Sequence, residues 1–221
     1  MGWLKQVLGR KALKRCAKIA SQPGEPKLPL GLTLGSNVSL NAALKSLLEG
    51  ETDIIVPGDD KIMAIGTLEA GSGYRLIRCY LDNEHFYIQF LMSGPREDDI
   101  AALILFGYHE VRTLCSSAEL LHLTGPRSKI GMPFYELERT EYVRQWGTED
   151  GQTEMTTLTE RVISTEGSYT VHHRCALYAR NLRLANRREF LLLSIETDEL
   201  TNRLLTTAVG VTLQLSDLSI I

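Results

Sequence analysis

Residues 61–92, KIMAIGTLEAGSGYRLIRCYLDNEHFYIQFLM, decide the fold class. The segments 61–70, 74–81 and 86–92 each have the length of a strand, and Gly71-Ser72-Gly73 and Asp82-Asn83 supply turns between them. In the third segment apolar residues recur at every second position, the period at which a strand presents one face to a core. The stretch therefore predicts an antiparallel meander of three strands.

Further segments with strand character follow along the chain. Four of them, at residues 155–164, 169–179, 189–197 and 209–215, come after the turn at 147–151. Earlier, residues 28–34 and 52–56 read as short extended pieces, and residues 134–146 as an extended aromatic one. Residues 100–106 are continuously apolar, which fits a buried strand or a helix capped by Asp98 or Asp99, since periodicity does not discriminate at this length.

These segments predict a mainly β (α+β) protein with antiparallel sheets in two lobes and two or three short helices. Helices are predicted at 42–49, where Asn41 supplies a cap, and at 198–205. The domain organisation expected is a basic arm (1–20), a linker (21–27), a β-rich lobe (28–146) and a second β lobe (147–221) integrated with the first. The pattern leaves open a sandwich, a barrel or two facing sheets.

Charge is distributed unevenly along the 221 residues, whose formal net charge is −3. Residues 1–20 contain six Lys or Arg and no acid, so residues 21–221 hold 18 basic against 27 acidic residues, a formal charge of −9. An acidic body repels phosphate backbones, and we expect no nucleic-acid partner. Clustered basic residues beside Trp3 are instead typical of contact with an anionic membrane surface or a partner protein.

The arm does not form one straight amphipathic helix. On a helical wheel the apolar residues of 3–8 fall on the same side as the basic residues of 10–18, whereas the apolar side of 10–20 lies opposite. A break at Gly9 gives an apolar tip and a basic helix whose small-residue side docks on a partner or on the body. The candidate contact residues are Trp3, Leu4, Lys5, Val7, Leu8, Arg10, Lys11, Lys14, Arg15 and Lys18.

Motifs of catalysis and metal binding are not evident. The five histidines have no zinc-ligand spacing, and neither a nucleophile elbow nor a phosphate-binding loop is present. We therefore predict no catalytic residues, no metal and no cofactor. The four cysteines are widely spaced, and no apolar stretch is long enough to span a membrane or act as a signal peptide, so we expect a reduced cytoplasmic protein.

One polar arrangement is a candidate ligand site. Tyr and Arg recur two residues apart on two predicted strands, which places both on one face of the strand. Together with neighbouring basic groups they predict a cleft for an anion between the lobes, although a solvated sheet face explains the same pattern. The residues are Tyr142, Arg144, His172, Arg174, Tyr178 and Arg180.

The chain resembles the YjfK-like family of bacterial proteins of unknown function. The resemblance rests on Met1-Gly2-Trp3-Leu4-Lys5, residues 28–38, Lys129-Ile130-Gly131 with Tyr142-Val143-Arg144-Gln145-Trp146, and Leu177-Tyr178-Ala179-Arg180. It transfers no catalytic residues. It implies a cytoplasmic protein whose genomic neighbours include membrane-associated, phage-shock-like proteins, and hence a part in envelope maintenance or stress.

The leading hypothesis is a non-enzymatic binding or adaptor protein that acts through the arm, peripherally at the inner membrane or on a membrane-associated partner. The alternative is a small-ligand binder or an enzyme that uses the Tyr/Arg-lined site. A third interpretation is oligomerisation through an edge strand or the arm.

Overall fold

The structure is a computed structural model that describes residues 28–221. Its elements are short 3₁₀ turns at Pro29–Gly31 and Leu215–Asp217, helices α1 (Ala43–Leu48) and α2 (Ser117–Thr124), and twelve strands: β1 (Asn37–Leu40), β2 (Asp60–Gly71), β3 (Tyr74–Leu81), β4 (Phe86–Met92), β5 (Ile100–Thr113), β6 (Phe134–Leu137), β7 (Thr140–Arg144), β8 (Thr156–Ser164), β9 (Gly167–Asn181), β10 (Arg188–Thr197), β11 (Arg203–Leu213) and β12 (Leu218–Ile220).

Eight of the strands close into an antiparallel barrel. Two meanders of four strands, β2 to β5 and β8 to β11, pair edge to edge through β5 with β11 and through β2 with β8. β1 and β12 extend the sheet from β2, and the β6–β7 hairpin pairs with β9. Because each meander pairs with the other at both of its edges, the paired segments of the barrel have no unpaired edge strand.

The mainly β, antiparallel prediction is confirmed, but the two predicted lobes are the two halves of one barrel. A four-stranded meander on its own has two unpaired edge strands, and here each half covers the edges of the other. The described residues contain two α-helices, the lower end of the predicted range.

Three apolar clusters pack against the barrel wall, one on its inside and two on its outside. One fills the lumen with side chains from all eight strands, including Tyr87, Phe106 and Val171. A second lies outside β2 to β5 beneath α1, β1 and β12, and the third lies outside β9 and β10 beneath α2 and the β6–β7 hairpin. Because the wall is covered on both faces at β5, residues 100–106 form a strand whose apolar residues are buried on alternate sides.

Several local predictions need correction. The helix predicted at 198–205 is wrong: Asp198 Oδ1 accepts hydrogen bonds from the backbone of Leu200 (2.9 Å) and Asn202 (2.8 Å), which closes a turn directly before β11. Residues 52–56 are irregular, and a 3₁₀ turn, with Leu30 at φ 57°, interrupts residues 28–34.

Helix α1 is confirmed where it was predicted, and the Asn41 side chain accepts a hydrogen bond from the backbone of Ala43 at 3.0 Å. Helix α2 was not predicted. Its signal is the spacing of Ser116 and Glu119, because the Ser116 hydroxyl caps the helix by accepting from the Glu119 backbone at 3.1 Å.

Candidate functional site

A buried polar network crosses the barrel lumen and is centred on Glu160 of β8. Arg78 Nη1 donates to Glu160 Oε2 at 2.9 Å, and the Tyr80 hydroxyl donates to Oε1 at 2.7 Å. Glu160 is fully buried and Arg78 is 4% exposed. Arg78 also donates from Nε to Gln89 at 3.0 Å, and its guanidinium lies 5.4 Å from the centre of the Tyr87 ring. The ion pair thus links the two meanders through the interior.

A second set of bonds extends the network across β9 and β10. His173 Nε2 lies 2.8 Å from Glu160 Oε2, and His173 Nδ1 lies 3.1 Å from Ser194 Oγ. Cys175 Sγ is 3.4 Å from the same hydroxyl. Ser194, His173 and Glu160 are hydrogen-bonded one to the next, as are the serine, histidine and carboxylate of acyl-transfer enzymes. All three side chains are at most 1% exposed, however, so a substrate does not reach the Ser194 hydroxyl in this structure.

Gly66 makes room for the central carboxylate. A Cβ atom at this position would lie 1.7 Å from Glu160 Oε1, a distance that no rearrangement of a packed lumen accommodates cheaply. The absence of a side chain at Gly66 is therefore what lets Glu160 lie against β2.

The two glutamates buried in the lumen, Glu160 and Glu196, experience opposite electrostatic environments. Burial by itself would raise the pKa of Glu160, but the charge of Arg78 and the hydrogen bonds from His173 and Tyr80 outweigh it and lower the pKa to about 2. Burial raises the pKa of Glu196, which accepts a hydrogen bond from Thr206 at 2.8 Å while its Oε2 atom has no partner among the described residues. The charge of Glu160 is thus stabilised, and that of Glu196 is penalised.

The sequence contained a signal for part of this network. His173 lies at the period-two position between Val171 and Cys175, on the predicted buried face of its strand. Glu160 has no comparable signal, because its partner Arg78 lies 82 residues away along the chain.

Two residues of the predicted Tyr/Arg cleft come together. Tyr142 and Arg180 lie beside Glu189, which is 2% exposed. The Tyr142 hydroxyl is 3.2 Å from Glu189 Oε2, Arg180 Nε donates to the same oxygen, and Arg180 Nη2 donates to the Glu51 carbonyl at 2.7 Å. Glu189 therefore neutralises Arg180.

The other four cleft candidates lie elsewhere. Arg144 donates to loop carbonyls, including that of Gly151 at 2.7 Å, and the buried Tyr178 hydroxyl accepts from the Gly131 backbone at 2.7 Å, so both hold the loops beside β7. His172 and Arg174 lie exposed on the outer face of β9. Among the described residues, the six side chains do not form one continuous cleft.

Tyr142 and Arg180 line a cavity of about 240 Å³ on the outside of the barrel. Its walls also include apolar side chains such as Ile54, Phe86 and Val209, and the acidic Glu189. Polar and apolar side chains line the cavity in about equal measure, so it offers hydrogen-bonding groups beside apolar surface to a small ligand.

The predicted arm contacts, from Trp3 to Lys18, lie outside the described residues. Within residues 28–221, no three His, Cys, Asp or Glu side chains are grouped so as to hold a metal ion. In the same part of the chain, none of the helices combines the length and apolar character needed to cross a membrane.

Comparison with known proteins assigns the chain to a family. Residues 3–219 match the family described as "Protein of unknown function (DUF2491)", and the chain belongs to it. The chain is also 32% identical over 91 residues to the uncharacterized protein YjfK of Escherichia coli (strain K12). The aligned part is 41% of this chain and 42% of YjfK, less than half of either. The predicted membership of a YjfK-like family is confirmed, and no solved structure matches the chain.

The network yields a prediction for stability. Glu160→Gln should lower the free energy of unfolding at pH 7 by about 3–5 kcal/mol, because it leaves Arg78 buried without a counter-charge. Urea denaturation followed by circular dichroism measures this change.

Glu196→Gln is the matched control in the same lumen. It should cost far less, or increase stability, because the carboxylate it replaces is already disfavoured by burial. If both variants lose the same free energy of unfolding, the Arg78–Glu160 pair stabilises the fold no more than Glu196 does.

Proposed function

We propose that this protein is a non-enzymatic binding or adaptor protein of the cytoplasm that acts peripherally at the inner membrane or on a membrane-associated partner. Residues 1–20 provide the contact, and the barrel is the rigid body that carries them. The observation behind the proposal is the separation of charge, with six basic residues and no acid in residues 1–20 against a formal −9 in residues 21–221.

An acidic body restricts which surface can approach an anionic membrane. The body is repelled by anionic lipid headgroups, whereas each Lys or Arg close to such a surface contributes about 1 kcal/mol of attraction. The favourable orientation therefore points the arm at the membrane and the barrel away from it. The packed lumen supports a binding rather than a catalytic role, since its serine, histidine and carboxylate groups are buried.

The membrane contact is tested with four neutralising substitutions in the full-length chain: Lys11, Lys14, Arg15 and Lys18, each changed to Gln. They should weaken binding to anionic vesicles by about 4 kcal/mol, roughly a thousandfold, because each removed charge costs about 1 kcal/mol. Co-sedimentation with vesicles of anionic and of neutral lipid at low and high salt measures the effect.

The control removes four exposed basic residues from the body: Lys45, Arg127, Lys129 and Arg139, each changed to Gln. This variant has the same net charge as the first and should bind anionic vesicles about as well as the wild type, because the substituted residues face away from the membrane. If both variants bind equally weakly, the attraction depends on net charge and the arm is not the contact. If neither the wild type nor any variant binds vesicles or recovers a membrane-associated partner, the proposal is wrong.

A second candidate function is a small-ligand binder, or an enzyme, that uses the polar Tyr/Arg site. The observation in its favour is the 240 Å³ cavity that Tyr142 and Arg180 line. Because Glu189 neutralises Arg180, the cavity suits a small polar molecule with an apolar part better than a multiply charged anion.

Filling the cavity tests this alternative. Thr140 lines the cavity, so Thr140→Trp should abolish the rise in melting temperature that a small-molecule ligand gives the wild-type protein. Glu141→Trp, on the neighbouring exposed position of β7, should leave that rise unchanged. If no compound of a metabolite library raises the melting temperature of the wild type or of the Glu141→Trp control, that library contains no ligand for the cavity.

A further inference from the structure

The outer face of β8 is the part of the barrel wall that the flanking elements leave open. Its inward residues Glu160 and Val162 are buried, whereas the outward residues Thr157, Thr159 and Arg161 are exposed. Most of the remaining outer wall is covered by α1 with β1 and β12 or by α2 with the β6–β7 hairpin, although His172 and Arg174 of β9 are also exposed. The side of β8 and the adjoining part of β9 therefore lack the covering layer that most of the wall has.

A groove of about 940 Å³ runs along this open side, between β8, β2 and the start of β9. We call it the β8 groove. Its apolar lining includes Leu28, Leu34, Ile65 and Ile163, whereas Leu158 and Tyr169, at its border, pack on the lumen cluster.

The chain itself leads into the β8 groove. Leu28, the first described residue, is part of its lining, so residues 1–27 join the body at this point. The linker 21–27 reaches at most about 25 Å when extended, enough to fold the preceding residues back along the groove. A segment tethered in this way has an effective concentration in the mM range, so even a weak intrinsic affinity fills the site.

The composition of residues 10–20 fits such a site. On the predicted helix one side consists of Ala12, Leu13, Cys16, Ala17, Ile19 and Ala20, small or apolar residues that pack closely against a sheet surface. Eleven helical residues measure about 16 Å. The groove lining contains the acids Glu69 and Glu199 against the single base Arg161, which favours a basic segment over an acidic one.

We propose that residues 10–20 bind in the β8 groove through this small-residue side, with Lys11, Lys14, Arg15 and Lys18 directed away from the barrel. The groove is then an intramolecular docking site that completes the outer layer of the wall. The docked segment presents a basic surface at a fixed place on an acidic body. Docking of this kind is independent of what the basic surface binds.

Cys16 is a native probe of docking, because it lies on the side that faces the groove. In the full-length Cys115→Ser protein the remaining cysteines are Cys16, Cys79 and Cys175. Burial raises the pKa of the Cys79 thiol to about 12 and that of Cys175 to about 11, and neither side chain is accessible. Modification by a maleimide in the absence of lipid therefore reports on Cys16.

Docking predicts that Cys16 reacts slowly with the maleimide. Thr159→Arg places a bulky cation in the groove and should speed the reaction by about tenfold. This is the change expected on loss of a tethered contact whose intrinsic affinity is about 0.1 mM. Thr148→Arg adds the same side chain at an exposed position outside the groove and should leave the rate unchanged. The slow rate should also be independent of protein concentration.

Two results would overturn the inference. If Cys16 reacts in all three proteins as fast as in a free peptide of residues 1–27, the arm does not occupy the groove. If the rate increases on dilution, the occupant is a second copy of the chain. The maleimide experiment contains no membrane, so a negative result there has no bearing on whether the arm binds vesicles.

Discussion

The ion pair between Arg78 and Glu160 is the constraint on which the barrel depends. Arg78 belongs to the first meander and Glu160 to the second, so the pair joins the two halves through the lumen as well as along their paired edges. A buried pair of this kind stabilises a fold only when its remaining hydrogen-bonding capacity is satisfied. Tyr80, Gln89 and His173 supply those bonds, and Gly66 leaves the space for the carboxylate.

A lumen organised in this way determines where function can lie. Apolar and aromatic side chains pack around the network from all eight strands, so the interior is a core rather than a ligand chamber. A ligand or partner therefore has the outside of the barrel as its surface and, in the proposal made above, residues 1–27. The described part of the outside provides the cavity beside Tyr142 and the β8 groove, and the groove begins at the residue where the arm joins the body.

The sequence predicted the individual strands better than the way in which they pair to close the barrel. Period-two alternation predicted β4 and most of β9, and strand length between two turns predicted β3, because these signals are recorded in neighbouring residues. Closure of the barrel depends on pairs such as Gly107 with Val209, which no local pattern encodes. For the same reason the sequence interpretation selected tyrosines and arginines on an outer strand face and missed Glu160, whose environment is created by Arg78 from a distant strand.

The dependence of stability on pH tests the role of the ion pair most directly. The pKa of Glu160 is lowered from 4.5 to about 2 in the folded protein, so its stabilisation is complete above pH 4.5 and is lost as the pH falls towards 2. We predict that the free energy of unfolding of the wild type, minus that of Glu160→Gln, decreases between about pH 4.5 and 2. A difference that stays constant over this range would contradict the account.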